Sequence, residues 1–121
     1  MSVFLNVSNH NSRQWGNKQR AEAEKYGEIV DIEFPSVPAN ASAETVKKIA
    51  QQTFDIICQY DCSVVMLQGE FTLTYHLVNL LKHAGIRVVA ACSERHAVEK
   101  VDEDGNSIKH SKFTFVQFRE Y

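Results

Sequence analysis

The chain has 121 residues, of which 44% are hydrophobic and 23% are charged, and this is the composition of one globular domain with a continuous core. Its formal net charge of -2 argues against a protein that coats duplex nucleic acid by charge alone, although a small anionic ligand needs only a few local donors. No apolar run approaches the roughly 18 residues of a membrane span, and no basic segment precedes the first apolar run, so we expect neither a membrane protein nor a secreted one. Three cysteines without a secretion signal favour reduced thiols and a cytoplasmic location.

The order of apolar runs and helical patterns predicts alternating strands and helices. The expected strands are Val3–Val7, Glu28–Phe34, Val64–Leu67 and Ile86–Ala91, and the expected helices are Arg13–Tyr26, Ala43–Tyr60 and Thr72–Ala84. Gly16 lies inside the first helix, Asn40 or Ser42 can cap the second, and Gly85 is the expected stop of the third. Alternation of this kind predicts parallel strands joined by right-handed crossovers.

The last part of the chain differs, because it predicts a β-hairpin. Its arms are Ala97–Val101 and Ser107–Glu120, and its turn is at Asp104-Gly105. Along the second arm Phe113 and Phe115 fall on one face and Phe118 on the other. We therefore predict a single Rossmann-like ligand-binding domain over residues 1–121, an α/β fold whose open, mostly parallel β-α-β-α-β-α-β sheet carries a C-terminal β-hairpin.

The candidate site residues follow from this fold. In an open α/β sheet, ligands bind beyond the carboxyl ends of the strands, near the point where the strand order reverses. The second strand ends on the bland pair Phe34-Pro35, whereas the other three end in polar residues. These are Ser8, Asn9 and His10 after strand one, Gln68, Gly69, Glu70 and Thr72 after strand three, and Cys92, Ser93, Glu94 and Arg95 after strand four.

Two of these strand ends offer chemistry for an anion. Gly69 allows close approach of the backbone, and the N–H groups at the start of the third helix can bind a phosphate. Arg95 can pair with a phosphate or carboxylate through two parallel hydrogen bonds. The alternative is that Glu70 or Thr72 caps the third helix while Arg95 pairs with a neighbouring carboxylate.

His10 is the histidine best situated for proton transfer, because it lies in the loop after the first strand and histidine titrates near neutral pH. A solvated or turn-stabilising histidine is the alternative. Trp15 can stack on a base or pack on the sheet. His76 and His83 are too far apart on their helix to bind one metal without other ligands, and neither GxGxxG nor GxxxxGK[ST] occurs. We predict no metal and no cofactor.

Five segments of the chain are similar to a known group of proteins. The segments NVSNH, YGEIVDIEFP, QGEFTLTYHLVNLLKHAGI, VVAACSER and FTFVQFREY resemble small CRISPR-accessory proteins encoded beside type III CRISPR systems. That group is related to Rossmann-like domains that bind cyclic oligoadenylates, and some members are ring nucleases that linearise this antiviral messenger. The resemblance implies a homodimer with the cyclic ligand across its two-fold axis.

The resemblance also implies a metal-independent reaction, in which a 2′-hydroxyl of the ligand attacks the adjacent phosphate and leaves a 2′,3′-cyclic phosphate. Arg95 would then stabilise the negative charge, Ser93 and Thr72 would donate to phosphate, and Gly69 would admit the ring. Asn9 and His10 would orient or deprotonate the 2′-hydroxyl. Glu70 departs from this scheme, since a carboxylate repels phosphate, and it would have to contact ribose or adenine or act as the base.

Two further functions are compatible with the sequence. The chain carries no pair of obviously activated catalytic residues, which favours a module that binds and sequesters a cyclic nucleotide without cutting it. A small α/β interaction protein is the third possibility, because the open edge of the hairpin invites pairing with another chain.

Overall fold

The computed structural model describes residues 2–121, and at Val98 and His110 it describes the backbone alone. In chain order the elements are β1 (Val3–Ser8), a 3-10 turn (Ser12–Gln14), α1 (Asn17–Glu24), β2 (Glu28–Glu33), α2 (Ala43–Ile57), β3 (Cys62–Leu67), α3 (Phe71–His83), β4 (Val88–Val101) and β5 (Ser107–Glu120). Within the described residues, no helix is long and apolar enough to cross a membrane.

The strands form one five-stranded sheet in the order β2-β1-β3-β4-β5. β1 pairs in parallel with β2 and β3, β3 pairs in parallel with β4, and β4 and β5 are antiparallel. Parallel neighbours need a crossover, and α1, α2 and α3 supply the three. The predicted Rossmann-like α/β fold with a C-terminal hairpin is confirmed.

The two faces of the sheet bury different amounts of apolar surface. The larger core lies under α2 and α3, where Leu5 and Val65 contact a stripe that includes Leu73, Leu77 and Leu81. Each fully buried leucine of this kind contributes about 1.5–3 kcal/mol. The smaller core lies under the short helix α1, and its buried members are Phe4, Ala23, Val64, Met66 and Val89.

The face of β1 that looks toward α1 changes character along the strand. Phe4 is apolar, but the next two residues on that face are Asn6 and Ser8, and all three are buried. The eight-residue α1 covers only the apolar part of this face. The loop that leads from β1 to α1 covers the polar part, so this loop lies above the carboxyl end of β1.

The first helix begins later than predicted. Arg13 belongs to the 3-10 turn, and α1 starts at Asn17 with Gly16 as its N-cap residue, in extended conformation. Gly16, the residue that lay inside the predicted helix, is therefore the point at which the helix starts. The predicted cap of α2 is confirmed at Ser42, whose hydroxyl accepts from the Thr45 N–H at 3.1 Å.

The fourth strand and the first arm of the predicted hairpin are one continuous strand of 14 residues, so the expected strand end at Cys92 to Arg95 is wrong. No glycine or proline interrupts the chain between Gly85 and Gly105, and β5 pairs with β4 along its length. From residue 93 onward β4 pairs with β5 only, which makes residues 93–115 a two-stranded hairpin arm. Its predicted turn is confirmed, with Gly105 at a φ of 83°.

A register shift in this hairpin corrects one predicted face. The pairing of β4 with β5 shifts between Cys92 and Ser93, so that one strand carries an extra residue. As a result Phe118 contacts Phe115, with the ring centroids 4.9 Å apart, on the side of the sheet that carries α1. Alternation alone had assigned these two rings to opposite faces.

Candidate functional site

A cleft of about 980 Å³ opens at the carboxyl ends of β1 and β3, on the side of the sheet that carries α1. The chain leaves β1 toward β2 and returns to β3 on the other side, so this is the point where the strand order reverses. This volume lies near the upper end of the range for pockets that bind small molecules in proteins. Its floor is formed by Ser8, Met66, Gln68, Gly69 and Ala91.

The walls of the cleft come from two other parts of the chain. One wall is the segment that enters α1, with Asn9, His10, Gln14, Trp15, Gly16, Asn17, Lys18 and Gln19. The other is the base of the hairpin arm, with Ser93, Lys112, Phe113, Thr114 and Phe115. Three separate regions of sequence therefore enclose the same space.

The lining of the cleft favours a negatively charged ligand. The described residues that line it include Lys18, Lys112 and His10 but no aspartate or glutamate, although the chain has 15 acidic residues against 13 lysines and arginines. Two ammonium groups without an opposing carboxylate attract anions into a cleft, because low-dielectric walls focus the field.

The N-terminus of α1 adds donors to the same wall. Gly16 has no side chain that could accept from the first turn, and no side chain caps this helix in the described residues. The first N–H groups of a helix carry partial positive charge and bind anions when no cap satisfies them. Since Asn17, Lys18 and Gln19 line the cleft, these donors belong to its wall.

Aromatic side chains flank the cleft. Trp15 contacts Phe4 and Phe118, with ring centroids 6.2 and 6.3 Å away, so it packs on the sheet. Phe115 is held against Phe118. Phe113 is 68% exposed and lines the cleft, which leaves its ring available to stack on a planar ligand.

Six of the residues predicted from the strand ends line this cleft. They are Ser8, Asn9, His10, Gln68, Gly69 and Ser93. Five others do not belong to its lining: Glu70, Thr72, Cys92, Glu94 and Arg95. The roles of all eleven toward a ligand remain predictions, and their hydrogen bonds differ greatly.

Ser8 is committed to the protein. Its hydroxyl donates to Asn6 Oδ1 at 2.7 Å and accepts from the His10 N–H at 3.2 Å. The carbonyl of His10 in turn accepts from Asn6 Nδ2 at 2.8 Å. Ser8 thus holds the backbone of the loop in place, and this backbone directs the exposed side chains of Asn9 and His10.

Gln68 and Gly69 hold the floor together. The Gln68 side chain accepts from the Ala91 N–H at 2.9 Å and donates to the Ala91 carbonyl at 3.3 Å, which continues the contact between β3 and β4 beyond their backbone pairing. A Cβ at Gly69 would lie 2.5 Å from the ring of Phe34. The glycine is therefore required by packing, whatever it does toward a ligand.

Glu70 caps α3. Its carboxylate accepts from the Leu73 N–H and from the Thr72 hydroxyl, both at 2.7 Å. The hydrogen bonds from Thr72 and then from Leu73 lower the pKa of this carboxyl. Of the two alternatives for Glu70, the cap is the one observed, and the start of α3 that was expected to bind phosphate already holds this carboxylate.

Glu94 and Arg95 lie within the hairpin arm and do not follow a strand end. Arg95 donates from Nε and Nη2 to Ser111 Oγ at 3.2 and 3.0 Å across the arm. Glu94 lies 3.4 Å from His96 Nε2. This corrects the expectation that they follow strand four, because β4 continues past them.

Sequence reasoning missed Lys18, Lys112 and the start of α1. Gly16 was the available signal, since a glycine inside a polar helical pattern also fits an N-cap. Lys112 had no signal, because its position depends on the register of a 14-residue antiparallel pair. Within the described residues no three His, Cys, Asp or Glu side chains lie close enough to hold a metal ion.

The chain belongs to a protein family whose description reads "Uncharacterized protein MJ1673 family", and the model of that family matches residues 2–119. That description names no ligand and no reaction. No curated protein and no solved structure matches the chain.

Proposed function

We propose that this member of the MJ1673 family binds a cyclic oligoadenylate in the cleft at the carboxyl ends of β1 and β3. The observation that carries the proposal is the lining, in which Lys18, Lys112 and the uncapped start of α1 surround a space free of carboxylates among the described residues. Phosphates suit these donors and an adenine suits the exposed ring of Phe113. The resemblance of five segments to type III CRISPR accessory proteins supports this ligand.

The proposal includes a homodimer. β5 is an outer strand of the sheet, and the hairpin arm exposes Val101 and Ile108. Open strand edges with apolar side chains pair readily with another chain. A ring of several adenylates has repeated symmetry of its own and would fit a two-fold axis between two clefts.

Lysine 112 provides the test of binding. We expect cyclic tetra-adenylate to bind the wild-type protein in titration calorimetry, and Lys112→Ala to weaken the affinity by roughly tenfold or more, because a charge-assisted contact with phosphate is lost. Lys109→Ala is the matched control, since Lys109 lies on the same strand and outside the cleft lining.

An absence of binding to cyclic tri-, tetra- and hexa-adenylate by the wild-type protein would refute the proposed function. Equal loss of affinity in both lysine variants would mean that the net charge of the arm matters and the cleft does not.

Cleavage of the bound ring is a second candidate function, and the position of His10 in the cleft wall favours it. His10 would take the proton of a 2′-hydroxyl as its oxygen bonds to the adjacent phosphorus. The P–O5′ bond would break, the 5′ oxygen would leave with a proton from water, and a 2′,3′-cyclic phosphate would remain. Other groups of the cleft would stabilise the negative charge in place of Arg95.

We expect the wild-type protein to convert cyclic tetra-adenylate to linear products in EDTA, and His10→Ala to lower the rate about 100-fold or more with little change in affinity. Chromatography of products over many turnovers is the measurement, and His96→Ala is the control. Tight binding with no product from the wild-type protein would leave a sequestering module as the function.

A further inference from the structure

A buried polar cluster lies beneath the loop that forms one wall of the cleft. Asn6, Ser8 and Ser12 are 1%, 7% and 5% exposed, so most of their surface is withdrawn from water. Buried polar groups of this kind need partners within the protein, and a partner that satisfies several of them at once fixes their geometry.

Asp31 is that partner. It lies on the outer strand β2, directly opposite Asn6 in the register of β1 and β2. Its Oδ1 accepts from Asn6 Nδ2 at 2.8 Å and from the Ser12 N–H at 2.9 Å, and its Oδ2 accepts from Ser12 Oγ at 2.8 Å. One carboxylate therefore joins β1 to the first residue of the 3-10 turn.

These bonds control both ends of the loop. The second hydrogen of the Asn6 amide goes to the carbonyl of His10, so the orientation of Asn6 sets the His10 backbone. Ser12 begins the 3-10 turn that leads through Trp15 to Gly16, the start of α1, and its carbonyl accepts from Arg20 of that helix. The cleft lining between Asn9 and Gln19 is thus tied to one side chain outside the cleft.

The charge of Asp31 agrees with this role. Partial burial raises the pKa of this carboxyl, but the hydrogen bonds from Asn6 and Ser12 outweigh the burial, and the resulting pKa lies below its ordinary value. Asp31 is therefore ionised at neutral pH and accepts all three bonds.

We propose that Asp31 is a positioning residue, which holds the loop of residues 9–16 in the shape that the cleft requires without itself contacting a ligand. The effect of Asp31 on the loop depends on its hydrogen bonds alone, whereas an effect of Asp31 on ligand affinity rests on the proposed function. If the loop leaves this shape for most of the time, the apparent affinity falls in proportion to the fraction that keeps it.

Two substitutions of Asp31 can distinguish whether its hydrogen bonds or its charge hold the loop in place. An asparagine at position 31 keeps an oxygen for the two bonds that Oδ1 accepts, and its amide can donate to the Ser12 hydroxyl, which can also accept. A leucine has nearly the same shape and keeps none of the three. The two variants therefore differ in hydrogen bonding while both remove the charge.

The experiment compares Asp31→Leu with Asp31→Asn. For Asp31→Leu we expect amide exchange of residues 9–16 to be at least tenfold faster, the emission of Trp15, the chain's single tryptophan, to shift to the red, and cyclic tetra-adenylate to bind at least tenfold more weakly. Amides of β1 and β3 should exchange as in the wild-type protein. Asp31→Asn should stay within about threefold of wild type in each readout.

Glu33→Leu is the matched control, because Glu33 lies on the same face of β2 and is also exposed. Unchanged exchange of residues 9–16 in Asp31→Leu would overturn the proposal whether or not any oligoadenylate binds. Loss of loop protection in Asp31→Asn as severe as in Asp31→Leu would also overturn it, since charge would then be the cause. If the wild-type protein binds no oligoadenylate, the proposed function fails while the exchange measurement still decides the role of Asp31.

Discussion

At the scale of single residues, several polar side chains that were predicted to contact a ligand make hydrogen bonds within the protein that stabilise the fold. The Glu70 carboxylate is occupied by Leu73 and Thr72, and the Ser8 hydroxyl by Asn6 and His10. A polar group at a strand end must satisfy backbone donors before it can serve a ligand, because unpaired donors are costly. Exposed side chains, such as those of Asn9 and Lys112, do not have to satisfy buried backbone donors and can therefore contact a ligand.

Gly69 tests whether a residue that lines the cleft is required by packing within the protein. Gly69→Ala should destabilise the protein by about 1–3 kcal/mol, because the new methyl would overlap the buried ring of Phe34 and force it to shift. Urea unfolding measures the change. In a Phe34→Leu background the same substitution should cost less than half as much. A full cost in that background would show that the backbone at Gly69, rather than Phe34, demands glycine.

At the scale of elements, the helix start that lines the cleft is that of α1, whereas the sequence predicted that the start of α3 would face a ligand. α3 begins with Glu70, a side chain that fills its own N-terminus, whereas α1 begins with Gly16, which cannot. A bound carboxylate and a bound phosphate compete for the same N–H groups and the same partial charge. The helix start that leaves its N–H groups open to an anion is therefore that of α1, on the opposite side of the sheet from α3.

The hairpin arm is the element that extends furthest from the parallel sheet. Two-stranded hairpins are marginally stable alone in water, and the outer part of this one exposes Val101 and Ile108. The two strands of the arm nevertheless remain paired as far as Val101 and Ser107, next to the turn. A second chain packed against the arm would supply the burial that one chain does not.

Shortening the arm tests this expectation. We expect light scattering to give a dimer for the wild-type protein and a monomer for a variant in which Asn-Gly replaces residues 97–111, because His96 and Lys112 are opposite each other and suit a two-residue turn. The replacement keeps every residue of the cleft lining. A shortened variant that still dimerises would locate the interface elsewhere, and a monomeric wild-type protein would refute the homodimer.

At the scale of the whole molecule, the sheet order brings together segments that are far apart in the sequence. The lining extends from Ser8 to Phe115, and the family match extends over residues 2–119. Three parallel strands, a helix start and one antiparallel strand meet around a single space. No segment of the chain could form this cleft without the others.

The sequence by itself determined the α/β class, the parallel crossovers, the turn at Gly105 and the two strand ends that supply Ser8 to His10 and Gln68 to Gly69, and it narrowed the cap of α2 to Asn40 or Ser42. These features follow from hydrophobic periodicity and from local backbone chemistry, which act over a few residues. Only the tertiary structure decided that β4 continues past Arg95, that Lys112 reaches the cleft, and that Asp31 holds the loop above it. Those facts depend on strand register and on partners that are distant in the chain, such as Asn6 and Asp31, which are 25 residues apart, and no local pattern encodes such distances.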